Sequence, residues 1–259
     1  MRKNRMKEAL REGRAVVGSV MLLPDPFIAE ILGGIGFDFI IIDMEHSAVT
    51  QSGLHDVMLA LRGTESTIVV RAEWNDFVKV KRILDVGAEG VIFPWVSSAK
   101  EARAAVAATR YPPAGIRGWG PWRAARLSGS AADYAREAND NILVLAQIER
   151  VQAVRKLDEI LSTPGIDGIM IGPADLSWSM GNPPGTAPDK LDEMIGRVLA
   201  KCKKHKVPFG MFTGGAETAA KWLGRGGQIA TVGFDIGFVR DGAAQAKNDI
   251  DKLKADLKR

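Results

Sequence analysis

Eight short runs dominated by Val, Ile, Phe and Leu recur along this chain of 259 residues, and each is separated from the next by a segment with helical apolar spacing. Such alternation is the pattern of a parallel sheet with crossover helices. The runs are Val16–Leu22, Phe37–Ile42, Thr67–Val70, Gly90–Phe93, Ile142–Ala146, Gly168–Ile171, Pro208–Phe212 and Gln228–Val232. Unbroken stretches such as Phe39-Ile40-Ile41-Ile42 suit strands buried on both faces. Eight parallel strands in roughly 250 residues predict an α/β fold of the (β/α)8 TIM-barrel type. Helices are predicted at Pro26–Leu32, Ser52–Arg62, Asp76–Leu84, Ala99–Ala108, Val151–Leu161, Pro188–Lys204 and Ala216–Leu223. No linker, repeat or low-complexity tract divides the chain, so residues 1–259 are expected to form one barrel domain. Two gaps, Thr109–Asn141 and Ser179–Thr186, exceed a simple crossover and are expected to be functional loops at the barrel's C-terminal face, with disorder as the competing explanation. Met6–Leu10 and Ile250–Leu257 have helical spacing outside the eight units. Each is expected either to plug the barrel or to meet another subunit.

Charge and cysteine content narrow the function classes. Thirty-five Lys and Arg face 31 Asp and Glu, a net charge of +4. The signs are interleaved, and part of the surplus lies in the tail from Lys247 to Arg259. A nucleic-acid binder would gather its basic residues with aromatics on one face, so no nucleic-acid partner is expected; a non-catalytic RNA-binding barrel is the alternative from a different class. No run of 18 apolar residues occurs, which predicts no membrane partner. Met1–Arg14 lacks an apolar signal core, and Glu8 and Glu12 argue against a transit peptide. The lone Cys202, expected to be a packing residue, excludes an internal disulfide framework and fits a reducing, cytoplasmic setting.

In a barrel, the residues that do chemistry come from the C-terminal ends of the strands. Those positions hold Asp43-Met44-Glu45-His46, Arg71, Gln147 with Glu149, and Gly172-Pro173-Ala174-Asp175. Glu149 and Asp175 follow consecutive strands and would set two hard oxygen ligands side by side, suited to Mg2+ or Mn2+. Equally, both could serve as helix-start carboxylates. Of three histidines only His46 sits at a strand end, where it would act as general base or stay a satisfied structural ring. Asp85 closes its helix against the macrodipole, so it either pairs with His46 or stands exposed. Arg71, after Ile68-Val69-Val70, needs an anion to face, either Asp43 or a developing enolate. No Lys occupies a strand end, which argues against imine chemistry. Gly214-Gly215 and Gly233 fall where barrels often bind phosphate, but glycines also simply close turns. Trp119 and Trp122 would wall a pocket or line a subunit contact.

Four blocks together resemble the signatures of the HpcH/HpaI aldolases: Ile41-Ile42-Asp43-Met44-Glu45-His46, Tyr111-Pro112-Pro113-Ala114-Gly115-Ile116-Arg117-Gly118, Gln147-Ile148-Glu149 and Ile171-Gly172-Pro173-Ala174-Asp175-Leu176-Ser177. Their order and spacing match over nearly the whole chain. The resemblance implies a metal-dependent, class II pyruvate aldolase, a carbon–carbon lyase that reversibly cleaves 4-hydroxy-2-oxo acids to pyruvate, or a close analogue such as hydroxypyruvate, and an aldehyde. It implies that Glu149 and Asp175 hold a divalent metal (Mg2+, Mn2+ or Co2+). His46 would be the base, acting by way of a water and paired with Asp85. Arg71, oriented by Asp43, would face the keto oxygen. Gln147, Gly172, Pro173, Ala174, Asp175 and Phe212 would border the substrate, with the backbone N–H groups of Ala174 and Asp175 meeting its carboxylate. The resemblance further implies a homo-oligomer, dimers within a hexamer, that exchanges C-terminal helices between subunits. Departures around Ser19–Pro26, Met170 and Phe212 leave the aldehyde open. The nearest alternative is a CoA-ester or citrate-lyase-β-like lyase of the same superfamily.

Overall fold

The computed structural model describes residues 2–257. Eight parallel strands close into a barrel in sequence order, with the last strand hydrogen-bonded to the first: β1 (Val16–Met21), β2 (Phe39–Asp43), β3 (Thr67–Arg71), β4 (Gly90–Phe93), β5 (Leu143–Ile148), β6 (Gly168–Ile171), β7 (Phe209–Met211) and β8 (Ile229–Phe234). All eight predicted runs are strands, displaced by a residue or two at their ends. Crossover helices α2 (Pro26–Ile35), α3 (Gln51–Ala60), α4 (Phe77–Asp85) and α5 (Ala99–Thr109) follow the first four strands; α8 (Val151–Arg155), α9 (Leu157–Leu161), α10 (Pro173–Ser179), α11 (Pro188–His205), α12 (Ala216–Gly224) and α13 (Asp235–Asp256) follow the rest. Side-chain caps start several of them: Asp25 accepts from Phe27 and Ile28, Asp76 from Val78 and Lys79, and Ser98 from Glu101.

Residues alternate between two cores. Ile40, Ile42, Val70, Val91, Val144, Ile169 and Ile171 pack outward against the helices. Val16, Val20, Phe39, Ile41, Val69, Leu145, Met170 and Ile229 fill the barrel interior. The same interior cluster takes in Met6, Ala9 and Leu10 of the N-terminal helix α1 (Arg5–Arg11). That helix is therefore the plug of the barrel floor, and polar contacts pin it there. Asn4 donates to the Glu89 carbonyl at 2.7 Å, Met6 N–H to Thr67 Oγ1 at 3.1 Å, and Lys7 to Asp167 at 2.9 Å.

Two expectations need correction. The helix predicted across Val151–Leu161 is two short ones that meet at Lys156. The Thr109–Asn141 gap carries α6 (Trp122–Leu127) and α7 (Ala131–Asn141) and does not cover the functional face. By the time it begins, α5 has already returned the chain to the N-terminal end of the barrel. There Arg123 donates to the carbonyls of Val86 and, at 2.7 Å, Met58, tying α6 to the last turns of α3 and α4. The helical pattern expected at Ile250–Leu257 belongs to a 22-residue α13 whose distal half is exposed in the single chain. Among the described residues no helix is long and apolar enough to cross a membrane.

Candidate active site

Neighbouring strands place the polar side chains at the barrel mouth. β2 and β3 pair in register so that Asp43 lies beside Arg71. The two form a bidentate pair, Arg71 Nε to Asp43 Oδ1 at 2.8 Å and Nη2 to Oδ2 at 2.6 Å, the planar fork geometry that a carboxylate fits best. Asp43 is fully buried, and its Oδ1 also accepts the N–H groups of Glu45 and His46 at 2.9 and 3.4 Å. One carboxylate therefore orients the guanidinium and shapes the turn that presents the histidine. Phe212 supports Arg71 from the other side, its ring centroid 5.0 Å from the guanidinium carbon. Burial alone would lower the Arg71 pKa, but Asp43, Glu45 and Glu149 outweigh it and raise it.

Glu149 sits at the end of β5 and is 1% exposed. It accepts the backbone N–H of Trp95 at 2.6 Å and the Gln147 side-chain amide at 2.5 Å. Burial nevertheless pushes its carboxyl up to about 7, and the negative charges of Glu45 and Asp175 add to the shift. Gly172 is required at this spot, since a Cβ there would stand 2.7 Å from Glu149 Oε2 and 3.0 Å from its Cβ. Asp175 lies in the first turn of α10, whose start at Gly172 has no side-chain cap. The buried Oε1 of Gln147 has no hydrogen-bond partner.

Two residues of the mouth were not assigned a role from sequence. Glu45 is nearly buried, accepts the Trp95 indole N–H at 3.1 Å, and lies 3.4 Å from Arg71 and 3.6 Å from the His46 ring. Desolvation pushes its carboxyl up, against the pull of Arg71. Trp95 holds Glu149 by its backbone and Glu45 by its ring, and it does so at φ 59, a left-handed conformation rare for a bulky residue. The signal for Trp95 was its place two residues beyond β4, at an end that offered no titratable group.

His46 is more than half exposed at the mouth, beside Glu45. The expected pairing of Asp85 with His46 does not occur within the chain. Helix α4 starts at the mouth and descends, so its last residue lies at the other end of the barrel. There Arg117 Nη2 meets Asp85 Oδ1 at 2.9 Å, which answers the unfavourable helix-end charge. Arg117 is buried between Tyr111 and Tyr134, 4.5 and 5.4 Å from their ring centroids. Trp119 lies against Tyr111 in a tilted contact with ring centroids 5.1 Å apart, and Trp119 and Trp122 are exposed on the same distal side, away from the mouth. Gly214 and Gly215 have no neighbour within 4 Å of a built Cβ, so close approach does not explain them.

A family model described as HpcH/HpaI aldolase/citrate lyase matches residues 20–242. The chain is 37% identical over 237 residues to a 5-keto-4-deoxy-D-glucarate aldolase from Citrobacter koseri, covering 92% of each chain. A crystal structure of an HpcH/HpaI aldolase/citrate lyase family protein from Burkholderia cenocepacia superposes with a TM-score of 0.91 at 31% identity, over 96% of this chain and 99% of that one. The structure of citrate synthase SbnG superposes at 0.86 with 30% identity, over 98% and 100%.

Proposed function

Because the chain belongs to the HpcH/HpaI aldolase/citrate lyase family and is thus a carbon–carbon lyase, we propose that it reversibly cleaves 4-hydroxy-2-oxo acids to pyruvate and an aldehyde, using a divalent cation held by Glu149 and Asp175. The observation that carries this reading is the charge balance of the mouth. Arg71 is already matched by Asp43 at 2.6–2.8 Å, which leaves Glu45, Glu149 and Asp175 facing one another with Glu149 desolvated. Carboxylates crowded in this way must take up a proton or a cation, and an all-oxygen donor set suits a hard dication. Among the described residues no group of three or more His, Cys, Asp or Glu side chains is placed to hold a metal ion, so a cation here would rest on Glu149 and Asp175 alone. Its remaining positions would go to water and substrate, and such water would give the unpartnered Gln147 Oε1 a neighbour.

Such a cation supplies Lewis-acid polarisation of the 2-oxo group. The protein's own groups divide the remaining work. Arg71, locked by Asp43 and backed by Phe212, holds the keto oxygen as it gains negative charge. The uncapped N–H groups of Ala174 and Asp175, beside Gly172 and Pro173, take the substrate carboxylate. His46 accepts the C4 hydroxyl proton, directly or by way of water; the C3–C4 bond breaks, its electron pair forms the enolate, and the aldehyde leaves. Protonation at C3 then yields pyruvate. The preferred metal is Mg2+, Mn2+ or Co2+, the domain is one barrel over residues 1–259, and the functional unit is a homo-oligomer joined through α13.

The decisive experiment couples released pyruvate to lactate dehydrogenase over a panel of 4-hydroxy-2-oxo acids. EDTA is expected to abolish turnover and Mg2+, Mn2+ or Co2+ to restore it; full activity in metal-free enzyme contradicts the proposal. His46→Ala should slow turnover by roughly 10²–10⁴. Resemblance to SbnG supports a second reading, in which the same mouth serves a citrate-type condensation. Turnover that requires a CoA thioester, with none of the oxo acids cleaved, would favour it.

A further inference from the structure

The donor half of the proposed reaction is well furnished, and for the acceptor half a candidate cation stands beside the metal-binding carboxylates. Arg150 follows Glu149 directly and occupies the N-cap position of α8. It is exposed, and its guanidinium has no hydrogen-bond or carboxylate partner among the described residues. Its Cζ lies over the Trp95 ring, 5.3 Å from the centroid. The same indole reaches the mouth, where its N–H meets Glu45 at 3.1 Å. Trp74, 53% exposed, lies against Trp95 with ring centroids 6.4 Å apart. Trp74, Trp95 and Arg150 therefore form one wall at the rim of the site, aromatic along its length and cationic at one end.

Resting on the aldolase reading above, we infer that Arg150 selects aldehyde acceptors that carry an anionic group, carboxylate or phosphate, at the end remote from the carbonyl. A cation–π contact consumes none of a guanidinium's N–H donors, so those of Arg150 stay free to fork onto an anion. The other guanidinium of the mouth is committed elsewhere, because Arg71 donates Nε and Nη2 to Asp43, sits 3.4 Å from Glu45, and is assigned the keto oxygen above. An anionic acceptor would otherwise approach Glu45, Glu149 and Asp175 with only the dication to offset them. A cation on the rim removes that repulsion and fixes which end of the acceptor points inward. The aromatic wall meanwhile covers the carbon chain between the two ends.

The test uses metal-loaded enzyme in the condensation direction, with pyruvate and three acceptors: propionaldehyde, succinic semialdehyde and glyceraldehyde 3-phosphate. Arg150→Met keeps the stem on Trp95 and removes the charge. The ratio of kcat/KM for the anionic acceptors to that for propionaldehyde is expected to fall roughly tenfold or more, chiefly through KM, and Arg150→Lys should recover part of it. Which anionic acceptor loses more identifies carboxylate or phosphate. A ratio unchanged in Arg150→Met overturns the inference, whether or not overall activity drops. Native enzyme that condenses none of the three acceptors refutes the aldolase reading itself, and is told apart from the first failure by propionaldehyde turnover.

Discussion

Glu149 ties the chemistry of the mouth to measurable acid–base behaviour. Its carboxyl is raised from 4.5 to about 7 by burial, against hydrogen bonds from Gln147 and Trp95. The folded protein without metal therefore binds a proton more tightly than the unfolded chain does between those values. Stability is then lost as pH rises from about 4.5 to 7, by a few kcal/mol at roughly 1.4 kcal/mol per unit, and the whole cost stands above that window. A dication competes with the same proton. The increase in Tm on adding Mn2+ should thus be larger at pH 8 than at pH 5.5, and Glu149→Gln should remove both the metal shift and its pH dependence; equal shifts at the two pH values would count against Glu149 as the ligand. Gly172→Ala should act on the same carboxylate sterically, since the new Cβ meets it at 2.7 Å. Weaker Mn2+ binding in calorimetry, with the fold intact by circular dichroism, is the expected result. Asp43, Arg71, Glu149 and Asp175 were legible in the sequence because a barrel converts strand ends into site positions. Glu45 and Trp95 were not, because their roles arise from hydrogen bonds across β2, β4 and β5 that no local pattern encodes.

At the level of elements, periodicity located every strand but could not say which end of the barrel a connecting segment occupies. The Tyr111–Gly118 block and the two tryptophans after it fall on the far side from the mouth, since a crossover helix reverses the chain before they begin. Asp85 shares that fate at the foot of α4, where Arg117 holds it. Sequence also left open what α1 does, because an amphipathic turn or two fits a floor plug and a subunit contact equally. Its partners in the interior decide the matter: Met6 is 1% exposed and packs among the inward residues of the barrel. Truncation there opens a cavity beneath strands that cannot readily collapse. Met6→Ala should therefore cost about 2–5 kcal/mol in urea unfolding. KM for the oxo acid should change little, because the floor lies at the opposite end from the mouth. A cost below about 1 kcal/mol would mean that α1 is not a true part of the core.

The whole molecule leaves one element without a counterpart. Helix α13 runs for 22 residues from Asp235, where Asp235 Oδ2 accepts the backbone N–H groups of Leu22 and Leu23 at 2.9 and 2.8 Å and so anchors its start beside β1. Beyond that anchor its apolar residues stay exposed, among them Val239 at 57%, Ile250 at 44% and Leu253 at 59%. A helix that must keep such a stripe in water has little reason to stay formed on its own, since most helical stability in proteins comes from packing one face. A second copy of the chain, offering the same helix in exchange, is the partner that the family resemblance implies and that a closed symmetric assembly would satisfy. Removal of residues 248–259 should then lower the mass measured by light scattering to that of a smaller species, and reduce the apparent Tm in a concentration-independent way where the native enzyme shows concentration dependence. Glu149 and Asp175 follow consecutive strands of the same barrel, so Mn2+ binding should survive the truncation even as the assembly falls apart. Unchanged mass in the truncated protein would assign the oligomer to another surface, with the exposed Trp119 and Trp122 of the opposite face as the next residues to substitute.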